Sequence, residues 1–155
     1  MDESATAVVE MALVLPILIL LAFGILDFGR ATNYKNEATQ LANAAARYAA
    51  VNVDPNSTTS PPAALTTCAA LKNWLKTQTD TGEMLTMLNQ PNTVAISFGP
   101  NGATVTNPVT VTLTVDFTWL SFFSKLFGSP TKSLVGTATM RLEQPTTLPP
   151  AGTSC

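Results

Sequence analysis

Histidine is missing from this chain of 155 residues, and cysteine occurs only twice. Together these facts remove most zinc sites, imidazole general bases, and both Ser-His-Asp and Cys-His nucleophile systems. Charge is scarce too. Asp, Glu, Lys and Arg make up 12% of the residues, about half the share usual in a soluble domain. Eight basic residues stand against ten acidic ones, which leaves no cationic footprint for nucleic acid. Glycine-rich phosphate loops are absent, and Asp80, Glu83, Asp116 and Glu143 have no spacing that argues for a catalytic pair or a metal. The sequence points away from an enzyme and calls for no metal or other cofactor. Its polar surface must come from hydroxyls and amides, and 24 threonines supply much of it.

What the chain has is one strongly apolar segment. Met11–Leu26 reads MALVLPILILLAFGIL without a charge, and extending it back to Ala5 adds only Glu10. At 1.5 Å per residue the longer stretch spans roughly 33 Å, enough to cross a bilayer core. No comparable apolar partner exists elsewhere in the chain to make it a buried core helix. A cleaved secretory signal would want basic residues first and small residues at a cleavage point. Here Asp2 and Glu3 come first, and Asp27-Phe28-Gly29-Arg30 follows. The expectation is a single-pass membrane anchor in contact with the lipid bilayer. For its orientation two signals conflict. Arg30 and Lys35 after the span favour a cytoplasmic C-terminal part. The Thr/Asn/Pro-rich remainder with its pair of cysteines favours an extracytoplasmic one.

Helical periodicity continues past the span. Tyr34, Ala38, Leu41, Ala45 and Tyr48 recur at spacings of four and three on one stripe, widened by Ala42, Ala46 and Ala49. No Gly or Pro interrupts the chain from Ala31 to Val53. One helix from about Thr6 to Val51 is expected, with Pro16 kinking its membrane half and domain packing clear from near Asn36. The run from Asp54 to Pro62 reads as a loop. A second helix is expected to start with Ser60 as cap and Pro61 at its first position, with Leu65, Cys68, Leu71 or Lys72, and Leu75 facing inward beside Trp74. Asp80-Thr81-Gly82-Glu83 has capping-box spacing before a short third helix that ends at Asn89. Strands follow. Val94–Phe98 is short; Val109–Trp119 alternates apolar residues with Thr and Asp; Leu134–Leu142 puts Gly136 and Ala138 on its core face. Those two small residues leave room for the long helix to lie across the sheet. The tail from Gln144, with three prolines, lies outside the periodic core.

The expected fold class is α+β and pilin-like: a long N-terminal helix, half in the membrane and half projecting, packed on an antiparallel sheet of at least three strands. Residues 1–53 form the helix, 54–63 a linker, and 64–155 an extracytoplasmic domain completed by the distal half of the helix.

Several constellations admit two readings. Glu10 is either a shallow carboxylate that snorkels to the headgroups, or a charge that neutralises a neighbouring subunit's amino terminus or marks a processing point. Asp27 and Arg30, three apart, read as interfacial anchors that can pair. Cys68 and Cys155 are joined if the domain is exported, and free thiols otherwise. Trp119, Phe122, Phe123 and Phe127, with Leu120 and Leu126, either roof the sheet or form an exposed patch for membrane or another subunit.

The stretch Ser4-Ala5-Thr6-Ala7-Val8-Val9-Glu10-Met11-Ala12-Leu13-Val14-Leu15-Pro16, continued by Ile25-Leu26-Asp27-Phe28-Gly29-Arg30-Ala31, resembles the N-terminal signature of the TadE-like family. These are pseudopilin-like minor proteins of the bacterial tight-adherence (Flp-type) pilus system. Ala44-Ala45-Ala46-Arg47-Tyr48-Ala49-Ala50 and Ala138-Thr139-Met140-Arg141-Leu142-Glu143 extend the likeness. The resemblance implies an inner-membrane protein that acts in pilus biogenesis or as a minor pilus component, with pilus subunits or other pseudopilins as partners. It also implies cleavage by a prepilin peptidase between Ala5 and Thr6, which makes Glu10 the fifth residue. The alternative is a generic membrane-anchored binding or adhesion module of the bacterial envelope.

Overall fold

The computed structural model describes residues 3–79, 81–119, 128, 131–146, 148 and 153–155, with the backbone alone for 3–5 and 153. Helix α1 covers Glu3–Val51 without a break and runs through Pro16. Its end is built by sequence. Asn52 takes a left-handed φ of 52°. Val53 N–H then donates to the Tyr48 carbonyl at 3.2 Å and Asn52 N–H to Ala49 at 3.3 Å, which closes the last turn as a Schellman motif. Glu143 N–H satisfies a further open carbonyl, that of Ala50, at 2.9 Å.

The start of the second helix corrects the expectation at Ser60 and Pro61. Helix α2 is Cys68–Thr77, and its cap is Thr67. The intervening chain has other bonds to make. Asp54 N–H donates to Ala63 O at 2.8 Å, and Leu65 N–H to Asn52 O at 3.3 Å. The segment therefore doubles back along the end of α1 until Leu65 is buried. Only then does the Thr67 hydroxyl accept from Ala70 N–H at 3.2 Å. Helix α3, Gly82–Leu88, is likewise capped by Thr81, one residue later than Asp80. Lys72 of α2 is mostly buried, and its ammonium donates to the Gln90 carbonyl just past α3 at 2.7 Å. Burial, and secondarily the Lys76 ammonium, hold the Lys72 pKa below the ordinary lysine value.

Four strands follow: β1 (Val94–Phe98), β2 (Pro108–Thr118), β3 (Thr131–Arg141) and β4 (Thr153–Ser154). They make one antiparallel sheet in the order β3-β2-β1-β4. Val109, Val111, Leu113, Val115 and Phe117 of β2 are fully buried, while the residues between them reach solvent to varying degrees. That is the alternation read from the sequence, and α1 lies on the buried side. Its contact with β3 is intimate: a Cβ on Gly136 would stand 2.5 Å from the Ala38 carbonyl and 2.6 Å from the Thr39 nitrogen. Only glycine lets the two backbones meet there.

The tail departs from expectation. Leu148 is buried, and the last residues form β4, which pairs Thr153 with Ile96 and Ser154 with Ala95. Cys155 is joined to Cys68 across a sequence separation of 87, with Cα atoms 6.0 Å apart. The tail thus contributes both a core residue and an edge strand.

Gly136→Val should destabilise the domain by about 1–3 kcal/mol or more through overpacking, whereas a change at exposed Thr137 should stay within about 0.5 kcal/mol; urea unfolding of detergent-solubilised protein, followed by circular dichroism, measures both. Cys155→Ser removes a closure whose chain-entropy value is at most roughly 4–5 kcal/mol. Hydrogen-exchange mass spectrometry should then find β1 and residues 153–155 exchanging faster, while β2 and β3 stay protected.

Candidate membrane and assembly interface

Along α1 every large apolar residue from Val8 to Phe28 is exposed, apart from half-covered Leu20. The helix is long and apolar enough to cross a membrane, and none of its most apolar window is buried by the rest of the chain. A water-soluble fold would not leave so large a contiguous surface bare. From Thr6 to Leu26 the exposed stretch measures roughly 32 Å, the thickness of a hydrocarbon core. Thr6, Glu10 and Pro16 all lie on it, exposed; Ala5 is in the first turns of the same helix, its side chain outside the described set.

Glu10 is the one ionisable side chain between Thr6 and Leu26. It faces outward, away from the rest of its own chain. In hydrocarbon such a carboxylate needs a proton, a cation or a path to the headgroups.

Asp27 and Arg30 do pair, with Nη1 donating to Oδ1 at 3.3 Å, but they do more than anchor an interface. Asp27 is only 1% exposed. Arg30 turns its other nitrogen toward α3 and donates to both carboxylate oxygens of Glu83 at 3.2 Å. Its guanidinium also lies 5.5 Å from the centre of the Phe117 ring, within reach of a cation–π attraction. Tyr34 meets the same ring at 5.8 Å. Packing of the domain on α1 therefore begins at Asp27, not near Asn36, which is exposed. Glu10 is about 17 residues, or some 26 Å of helix, from that joint.

Glu83 and Phe117 are the members of this joint that sequence reasoning missed. Arg30 and Glu83 are 53 residues apart, and no local spacing announces such a pair. The remaining stripe residues Tyr34, Ala38, Leu41 and Ala45 are buried against the sheet. Tyr48 is half-buried and stacks edge-on against Trp74, with ring centres 4.6 Å apart. Trp119 packs on Phe117 at 5.2 Å. The other aromatic candidates, Phe122, Phe123 and Phe127, lie outside the described residues, as do Leu120 and Leu126.

Beside the Arg30–Glu83 pair is a groove of about 780 Å³, lined among others by Thr86, Asp116, Thr131 and Ser133. Ser133 donates to Asp116 at 2.6 Å, so its charged groups already have partners from the chain itself. Among the described residues no group of three or more His, Cys, Asp or Glu could hold a metal ion.

Residues 5–47 match the family model for TadE-like protein. The matched segment holds the exposed span, Glu10, the Asp27–Arg30 joint and most of the packing stripe. It stops short of the sheet. No curated protein and no solved structure matches the chain. A TadE-like segment on an apolar N-terminal helix fits a membrane protein related to the tight-adherence pilus.

Arg30→Ala should lower the stability of the domain by about 1–2 kcal/mol, because Asp27 loses a partner and Glu83 loses its cation. Lys35→Ala, at an exposed position on the same helix, should change it by no more than about 0.5 kcal/mol. Unfolding midpoints at low and high salt check this; salt should weaken the exposed Glu83 arm and spare the buried Asp27 arm.

Proposed function

We propose that this protein is a minor pseudopilin-like component of the bacterial inner membrane that serves in the assembly or structure of a tight-adherence type pilus. Its N-terminus is cytoplasmic, and the residues from about Asn33 onward are outside. The observation that carries this reading is Glu10, a carboxylate directed outward from a bare apolar helix within the segment that matches the TadE-like family. A charge in that position costs free energy until a neighbour supplies its counterpart. The amino terminus of an adjacent subunit is a suitable one, because the pair satisfies both charges where water is scarce. Cleavage between Ala5 and Thr6 by a prepilin peptidase would place a free amino group four residues from Glu10 in every copy. The Cys68–Cys155 disulfide agrees with an oxidising compartment for the domain.

Glu10→Ala should leave the protein inserted and its domain folded while abolishing co-purification with pilus subunits and pilus production. Glu10→Gln isolates the charge, since it keeps the hydrogen-bonding capacity. At some 26 Å from the nearest domain contact, neither change should alter the unfolding of the domain. Normal filaments and unchanged co-purification in both variants would return Glu10 to a shallow anchor residue and leave a simple membrane-tethered module.

A further inference from the structure

We propose that the membrane-facing end of the domain, formed by Trp119 and Lys132 with Phe28 and Arg30 of α1, rests in the lipid interface and gives the protein a second membrane contact beside its helix. The inference rests on α1 crossing the bilayer.

Depth carries the argument. Strand β2 runs antiparallel to α1. Glu143, just past β3, bonds to Ala50 at the far end of the helix; Gly136 lies on Ala38; Phe117 lies between Tyr34 and Arg30. Each strand residue toward Trp119 therefore descends toward the apolar segment. Two residues beyond Phe117, at roughly 3.3 Å each, are matched by about four residues of helix, which brings Trp119 level with Leu26 and Asp27. Leu26 is the last residue of the uncharged run. If that run sits in hydrocarbon, Trp119 sits at its lip.

The residue types suit that depth. Tryptophan is enriched at the boundary between acyl chains and headgroups, and lysine and arginine reach the phosphates from there. Trp119 is half-buried, Phe28 is 71% exposed, and Lys132 is exposed. Lys132 stands opposite Phe117 in the β2–β3 register, on the side of the sheet that faces α1. The sequence that joins Trp119 to Gly128 adds Leu120, Phe122, Phe123, Leu126 and Phe127 with a single charge, Lys125. A segment of this composition is suited to lipid and costly in water.

The chain carries its own control. It has two tryptophans, and Trp74 packs on Tyr48, 18 helical residues or roughly 27 Å beyond Arg30. The full chain is reconstituted into phosphatidylcholine vesicles with brominated acyl chains, which quench tryptophan on contact. In Trp74→Phe, where only Trp119 emits, emission should fall about twofold or more relative to unbrominated vesicles. In Trp119→Phe, where only Trp74 emits, it should not change. The unsubstituted protein, in which both emit, should show quenching between those of the two variants. Protein that floats with the vesicles but shows no quenching of Trp119, or equal quenching of both, overturns the proposal and leaves the anchor intact. So does a Trp119 signal that changes only with protein density in the vesicles, which would mark a contact between copies. Protein that does not float at all overturns the spanning reading and this proposal with it.

Discussion

Where the backbone of Ala38 passes over Gly136, helix and sheet approach so closely that no Cβ fits between them. Most of the other packing takes its place from that approach. With α1 pressed on β3, the alanines at 42, 45, 46 and 49 become buried, although each offers only one methyl. The large side chains of β2 then fill the space beside the helix. A helix with bulkier residues on this stripe would stand off the sheet. The sheet would lose the cover over its apolar face, and the helix would lose most of what shields its distal half among the described residues.

The same closeness governs the joint around Arg30. Phe117 can lie beneath Arg30 and against Tyr34 because the strand that carries it is held at helix-contact distance further along. Arg30 then bridges a buried carboxylate on its own helix and an exposed one on α3. The anchor is thus tied to the domain by a charged cluster as well as by apolar packing.

Much of this could be read from residue order. The spacing of Tyr34, Ala38, Leu41 and Ala45 marks the face of α1 that packs, and Val109 to Phe117 marks the face of β2, because both are long and strictly periodic. Gly136 and Ala138 indicated what lies across the sheet. The misreadings have a common cause. Ser60-Pro61 is a good local start signal, yet the bonds from Asp54 to Ala63 and from Leu65 to Asn52 hold that chain in a loop that returns to the end of α1. Leu148 and β4 have no periodicity to betray them, since a two-residue strand after a proline-rich run depends on Cys68 and on the edge of β1. The Glu83 partner of Arg30 was hidden for a similar reason: long-range polar pairs leave no spacing in the sequence.

The contact between α1 and the sheet also has a direction. From Arg30 at one end to Ala50 at the other it extends along the helix for roughly 30 Å, with β2 running in the opposite sense to α1 and β3 in the same sense. A pull on the domain along the axis of α1, resisted at the N-terminal part of the helix, loads this seam in shear. All of its contacts resist together, unlike a peeling geometry in which they would fail one after another. Because Cys68 and Cys155 are covalently joined, strand β4 cannot be drawn away from β1 first to start such a peel. Tension along the helix axis is therefore the load that this arrangement bears best.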